Sequence, residues 1–307
     1  TLLFFKKLNL SSFAPEAYNG TQRMRKGVKH MTMKKTLTIA GSDTSGGAGI
    51  AADLKTFQEH GTYGMTALTV VVTMDPNNHW AHGVYALPTD VLQRQIDTAL
   101  STGIDAMKTG MLANEEVIQL AGRAIEQSGT THVVIDPVMV CKGEDDVLNP
   151  GNTDAMIEYL LPHAEVTTPN LFEAGQLARM KTPKTLDDMK EAAERIHAYG
   201  ARTVVIKGGS AIEGDEAIDL FYDGTDHYAL KVNKVKSHWN HGAGCTFAAA
   251  VTANLANGLS TKEAVIEAKA FVAAAIEHGW RLNDYVGPVM HGAANRYGRP
   301  DVTVERI

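Results

Sequence analysis

Cysteine is nearly absent from this chain of 307 residues, which holds only Cys141 and Cys245. Two cysteines do not make a disulfide framework, so a core must carry the fold and a reducing cytoplasm is the expected setting. An excess of positive charge is missing as well. The formal net charge is -6, and basic residues crowd only the first thirty positions, which argues against a nucleic-acid footprint. No apolar run approaches the roughly 20 residues that span a bilayer. Repeats at solenoid period and low-complexity linkers are also lacking, so one domain is expected. The 44% of hydrophobic and 21% of charged residues are the balance of a soluble globular enzyme.

Residues 1–30 differ from the rest. They begin at Thr1 and carry Lys6, Lys7, Arg23, Arg25, Lys26 and Lys29 without a helix or strand period. Lys26, Gly27 and Val28 are what a purine-rich ribosome-binding site would spell if translated. Two readings stay open for this stretch: a start-site artefact, with Met31 or Met33 the true start, or a disordered tail. A single domain over 31–297 and a C-terminal tail over 298–307 complete the expected organisation.

From Lys34 onward, β-rich runs alternate with helical periods. Strands are expected at 36–40, 66–72, 105–108, 132–135, 166–168 and 203–206. Helices are expected at 49–59, after Thr89 and Asn114 as caps, at 171–178, and after Thr185. Asp223 and Gly224 mark a hairpin inside 217–235, and two helices follow at 245–257 and 260–279. This alternation implies right-handed βαβ units, hence an α/β fold with a mostly parallel sheet and helices on both faces.

In such sheets ligands bind beyond the C-terminal strand ends, and the unusual residues fall there. Gly41 to Gly49 follows the first strand. Gly47 to Ala52 fits G-x-G-x-x-A, but the glycines lie too far from the strand end and no acidic ribose ligand follows, so an oxidoreductase is disfavoured; a P-loop is absent. A glycine-lined floor for a small ring, anchored by Asp43 or Asp53, fits better, against the plainer reading of a tightly packed helix entry. A second glycine loop, His241 to Phe247, opens a helix. Its small residues, Gly242, Ala243 and Gly244, let backbone N–H groups converge on an anion. Cys245 sits at that helix start, where a thiol's pKa is expected to fall; the plainer reading is a buried structural cysteine. Asp136, Asn170 and Glu173 form a polar set in which Glu173 could meet Mg²⁺ or its water. Taken alone, Glu173 reads better as an acid complementing a helix dipole.

Together the segments 36–43, 45–50, 52–57, 108–111, 136–139, 168–173 and 242–246 resemble hydroxymethylpyrimidine (phosphate) kinases. They resemble still more closely the two-cysteine pyridoxal kinases on that scaffold, within the ribokinase superfamily. The resemblance covers about residues 34–287. It implies a ribokinase-like three-layer sandwich with a small lid, usually a homodimer, using ATP, Mg²⁺ and often a monovalent cation such as K⁺. It places Ala48, Asp53, Met74, Met111, Val138 and Cys245 around a vitamin ring. Asn170, Glu173, Lys207, Gly208, Gly209 and the backbone of 242–244 fall near ATP or its metal, and Cys141 falls in the lid. Two departures stand out. Many relatives hold an aspartate where this chain has Cys245, and pyrimidine kinases commonly hold Glu or Gln where it has Met74.

The implied activity is phosphorylation of the 5′-hydroxymethyl group of pyridoxal, pyridoxine and pyridoxamine. The alternatives are a hydroxymethylpyrimidine or hydroxymethylpyrimidine phosphate kinase of thiamine synthesis, and a non-catalytic pyridoxal phosphate carrier. A carrier needs no ATP-metal site, which counts against it. Cys245 is expected to accept the alcohol proton and to add reversibly to the pyridoxal aldehyde, with Cys141 relaying a proton.

Overall fold

Strands and helices alternate from Lys35 onward. β1 (Lys35–Asp43) leads through a turn to α1 (Gly49–Glu59), then β2 (Tyr63–Asp75) and its hairpin partner β3 (Ala81–Ala86). Next come α2 (Thr89–Leu100), β4 (Ala106–Thr109), α3 (Glu115–Ser128) and β5 (Val133–Ile135). α4 (Pro150–Tyr159), β6 (Val166–Thr167), α5 (Leu171–Leu177), α6 (Leu186–His197) and β7 (Thr203–Lys207) continue the alternation. β8 (Glu216–Tyr222) and β9 (His227–Asn233) form the expected hairpin, followed by α7 (Ala243–Ala256), α8 (Thr261–Glu277), α9 (Ala293–Tyr297) and β10 (Thr303–Arg306). The computed structural model describes residues 32–139 and 150–307. The expected lid segment around Cys141, the N-terminal extension over residues 1–30 and Met31 lie outside them.

One ten-stranded sheet runs in the order β10-β9-β8-β7-β6-β5-β4-β1-β2-β3. Its centre is parallel: β2, β1, β4, β5, β6 and β7 pair in that sense. The antiparallel pairs lie toward the edges, β2 with β3 and β7 through β10. Apolar side chains leave both faces, as a parallel sheet buried on both sides requires. Val133 and Ile135 join one core with α2 to α6, whereas Val134 joins a second core with α7 to α9. The result is a three-layer α/β sandwich. α1 lies against α7, where Phe57 packs on Ala249 and Ala253. Those small residues let the two helices approach closely, and burying the phenyl ring contributes roughly 1.5–3 kcal/mol.

Local chemistry explains most boundaries. Asn114 caps α3 by accepting from the Val117 N–H. Asn170, Thr185 and Ser260 each form a reciprocal capping box with the acid three residues on. At α2 the expectation needs correction: Pro88 holds the cap position and Thr89 is the first helical residue. β3 and β10 escaped the sequence reading because both are edge strands with exposed side chains and no apolar alternation. β10 also places part of the expected C-terminal tail in the sheet, paired with β9.

Candidate active site

The chain leaves β1 at Asp43 and turns sharply into α1. The Asp43 carboxylate organises that turn, Oδ1 accepting from the Ser45 N–H and Oδ2 from the Ala48 N–H, each at 2.8 Å. Oδ2 also accepts from His241 Nε2 at 2.6 Å, across 198 positions of sequence. Burial alone would raise the Asp43 carboxyl, but hydrogen bonds from His241 and Ser45 outweigh it and hold the group at about 2. The two glycine loops therefore touch. Gly242, which enters α7, has φ of +82°, and a Cβ there would stand 1.8 Å from the Gly47 carbonyl oxygen. Only glycine meets both demands.

Two cavities meet at the start of α7. The first, of about 390 Å³, is lined by Asp43, Ala48, Met74, Lys108, Met111 and Gly242 among others. The second, of about 450 Å³, passes Asp136, Glu173, Lys207 and Gly209 and ends on the apolar side chains of Val232, Val272 and Ile276. Val138, Asn170, Ala243, Gly244 and Cys245 line both. A group bound at the first turn of α7 thus faces both spaces at once. The backbone N–H groups there lack helical partners and suit an anion.

The polar wall of the second cavity is tightly connected. Lys207 Nζ donates to Asp136 Oδ1 at 3.0 Å, and Thr168 Oγ1 donates to the same oxygen at 3.2 Å. Asn170 and Glu173 cap each other: the Asn170 N–H donates to Glu173 Oε2 at 2.8 Å and the Glu173 N–H to Asn170 Oδ1 at 2.9 Å. Burial, opposed by Lys207 but reinforced by Asp136, pushes the Glu173 carboxyl up to about 7. Asp219 secures the turn after β7, Oδ1 accepting from the Gly209 N–H at 3.1 Å and Oδ2 from Lys269 Nζ at 2.7 Å.

Cys245 corrects an expectation. Burial, with the carboxylates of Asp53 and Asp136, pushes its thiol up to about 12, despite Lys108 and a hydrogen bond from the Gly49 N–H. The helix start does not offset the loss of water. With its pKa raised so far, Cys245 is a thiol, not a standing base or nucleophile.

The sequence matches the phosphomethylpyrimidine kinase family over residues 43–290. The chain belongs to that family. It is 60% identical over 277 residues to a putative pyridoxine kinase of Staphylococcus aureus, covering 90% of this chain and 100% of the relative. It is 54% identical over 264 residues to the pyridoxine kinase of Bacillus subtilis, covering 86% and 97%. In structure it resembles the pyridoxal kinase of Staphylococcus aureus in complex with AMP-PCP and pyridoxal, at a TM-score of 0.86 and 58% identity, over 90% of this chain and all of the other.

Within this family framework, the residues expected around the ring divide cleanly. Asp43, Ala48, Met74, Met111, Val138 and Cys245 line the first cavity, and Asp53 does not. Asp53 is wholly buried, bound to Thr38 Oγ1 and Lys108 Nζ at 2.6 and 3.0 Å. Its position on the buried face of α1 turns it toward β4. Of the residues expected near the nucleotide, Asn170, Lys207, Gly208, Gly209, Ala243 and Gly244 line the second cavity, as do Asp136 and Glu173, whereas Gly242 lines only the first. Sequence reasoning did not single out His241 and Lys108. Both stood inside segments already quoted, one before a glycine loop and the other at a strand end, and a buried charge at a strand end was the available signal.

Proposed function

We propose that this chain transfers the γ-phosphoryl group of ATP to the 5′-hydroxymethyl oxygen of pyridoxal, and of pyridoxine and pyridoxamine. The observation that carries the reading is the meeting of two cavities at the start of α7, in a chain so similar to kinases named for this vitamin. ATP occupies the second cavity, its base against the apolar end and its phosphates toward Lys207 and α7. The vitamin ring occupies the first, against Met74, Met111 and Val138.

The reaction forms a bond from the hydroxymethyl oxygen to the γ-phosphorus and breaks the bond from that phosphorus to the β,γ-bridging oxygen, releasing ADP. Its loose transition state needs alignment and charge stabilisation more than a strong base. The backbone of Ala243, Gly244 and Cys245 holds the migrating group between the two cavities. Lys207 balances charge on the phosphate oxygens. The hydroxyl proton passes to the Cys245 sulfur as the new bond forms, the thiol having given its own proton to a phosphate oxygen or to water.

Asp136 and Glu173 would hold Mg²⁺. The fit rests on hard oxygen donors and on two buried carboxylates sharing the Lys207 ammonium, an excess of negative charge that a divalent cation offsets. Among the described residues no three His, Cys, Asp or Glu side chains converge as a ligand set. The ion would therefore keep water and phosphate oxygens, as magnesium commonly does. Bound there, it would offset charge on the phosphates. The homodimer and K⁺ dependence implied by the resemblance are checked by sedimentation and by assays with and without K⁺. A cytoplasmic setting rests on the scarcity of cysteine. No helix among the described residues is long and apolar enough to cross a membrane.

The test is ATP consumption with pyridoxal, pyridoxine, pyridoxamine and hydroxymethylpyrimidine. We expect kcat/KM to be highest on a vitamin B6 ring. A higher value on hydroxymethylpyrimidine would transfer the chain to thiamine synthesis, and no consumption with any ring would remove the kinase reading.

A further inference from the structure

A further cavity, of about 370 Å³, adjoins the turn between β1 and α1 and shares no lining residue with the two that meet at α7. Its volume falls within the roughly 300–1,000 Å³ of small-ligand pockets. The walls come from three places. Ser45 belongs to the turn, Lys55 and Glu59 to α1, and Trp280, His291 and Arg296 to the chain from the end of α8 through α9. Backbone bonds hold the last wall: the Val289 N–H donates to the His241 carbonyl oxygen at 3.1 Å and the Met290 N–H to that of Ala275 at 2.9 Å. Asn295 ties α9 to the end of α1, its Nδ2 donating to the Glu59 carbonyl oxygen at 3.0 Å and to Glu59 Oε2 at 2.6 Å. The cavity is therefore preformed.

Its polar groups are left open. His291 is 8% exposed, yet its Nε2 is buried without a hydrogen-bond partner, as is Ser45 Oγ. Each unpaired atom costs the fold free energy that a bound partner restores. Lys55 Nζ donates to the Gly46 carbonyl oxygen at 2.6 Å, and among the described residues neither Lys55 nor Arg296 pairs with a carboxylate. The lining thus sets two cations against the one carboxylate of Glu59, which Asn295 already engages. Burial first, then Lys55 and His241, lowers the His291 imidazole to about 4. At neutral pH the ring is uncharged, and in its Nε2–H tautomer it donates without needing a counter-ion. Trp280 and Leu282 add apolar surface, 50% and 38% exposed. We propose that this cavity binds a small organic oxyanion, a carboxylate or phosphate monoester on an apolar body. Arg296 and Lys55 meet its charge, His291 and Ser45 donate to its oxygens, and Trp280 and Leu282 cover the body. The planar guanidinium fork matches either oxyanion.

The inference does not rest on the kinase reading, so its test uses neither ATP nor a vitamin ring. Phenyl phosphate, benzoate, inorganic phosphate and benzamide are titrated into the full chain labelled with nitrogen-15 at its three tryptophans. Trp280→Phe identifies the indole N–H signal of Trp280. Phenyl phosphate or benzoate should shift that signal saturably, and the tighter of the two identifies the headgroup. Benzamide has the same ring without the charge and should leave the signal in place. Inorganic phosphate lacks the apolar body and should bind about tenfold or more weakly. Arg296 is exposed, so Arg296→Met should fold normally; it should weaken binding by about tenfold or more, the scale of a charge-assisted hydrogen bond. His291→Phe keeps an aromatic ring without its nitrogens and should weaken binding as well. If His291→Phe does not fold, Arg296→Met decides. No saturable shift with either aromatic anion, or an affinity that Arg296→Met leaves unchanged, would overturn the proposal. Equal affinity for benzamide or for inorganic phosphate would overturn it too. Failure to phosphorylate any vitamin ring would count against the kinase reading and leave the binding result standing.

Discussion

At single residues the site works by opposition of charge and burial. Cys245 stands at a helix start, yet loss of water and two carboxylates leave it protonated. Gly244 lines both cavities and has open space around it. A Cβ added there would stand 3.4 Å from Lys207 Nζ. Gly244→Asp would place a carboxylate against that ammonium, in the space proposed for the migrating phosphoryl group. The backbone there is helical and the nearest neighbour is the flexible end of a lysine, so folding should be little affected. Turnover should fall roughly a hundredfold or more, the scale for losing one donor to a developing oxyanion. Turnover measured beside the thermal midpoint checks this, and near-normal turnover in a folded variant would place the phosphate elsewhere.

At the scale of elements, α5 carries its chemistry in its cap. Asn170 and Glu173 satisfy each other's backbone N–H groups, so the same carboxylate both starts the helix and lines the second cavity. Burial and Asp136 raise the folded-state pKa of Glu173 from 4.5 to about 7. The sign follows directly. Between those values the folded protein holds a proton that the unfolded chain has released, so stability falls as pH rises through that window. The contribution is intact below it and lost above it. Glu173→Gln keeps an oxygen for the Asn170 N–H and carries no charge. We expect ligand-free wild type to lose stability relative to this variant from acidic to mildly alkaline pH, read as urea midpoints. Parallel curves would show that Glu173 does not titrate in that range.

For the whole molecule, the layers bring residues far apart in sequence to one end of the parallel strands. The described compact unit begins at Met33, and the family match spans 43–290. A chain starting at Met31 should therefore match the full chain in thermal midpoint and in turnover on pyridoxal. A loss of either on truncation would show that residues 1–30 contribute to the fold or the site.

The sequence by itself determined the alternation of strands and helices, the glycine loops at the strand ends and the Asn170-to-Glu173 spacing. These depend on periodicity, capping and turn chemistry within a few residues, where side-chain type dictates local backbone geometry. The ordered motifs also carried the family resemblance. Only the tertiary structure decided that Asp53 leaves the ring to pair with Lys108, that His241 ties Asp43 to the second glycine loop, and that Cys245 is held as a thiol. Each depends on which charges meet and how much water is removed. Those are properties of packed layers, and adjacency in the chain does not encode them in a form that local reading can recover.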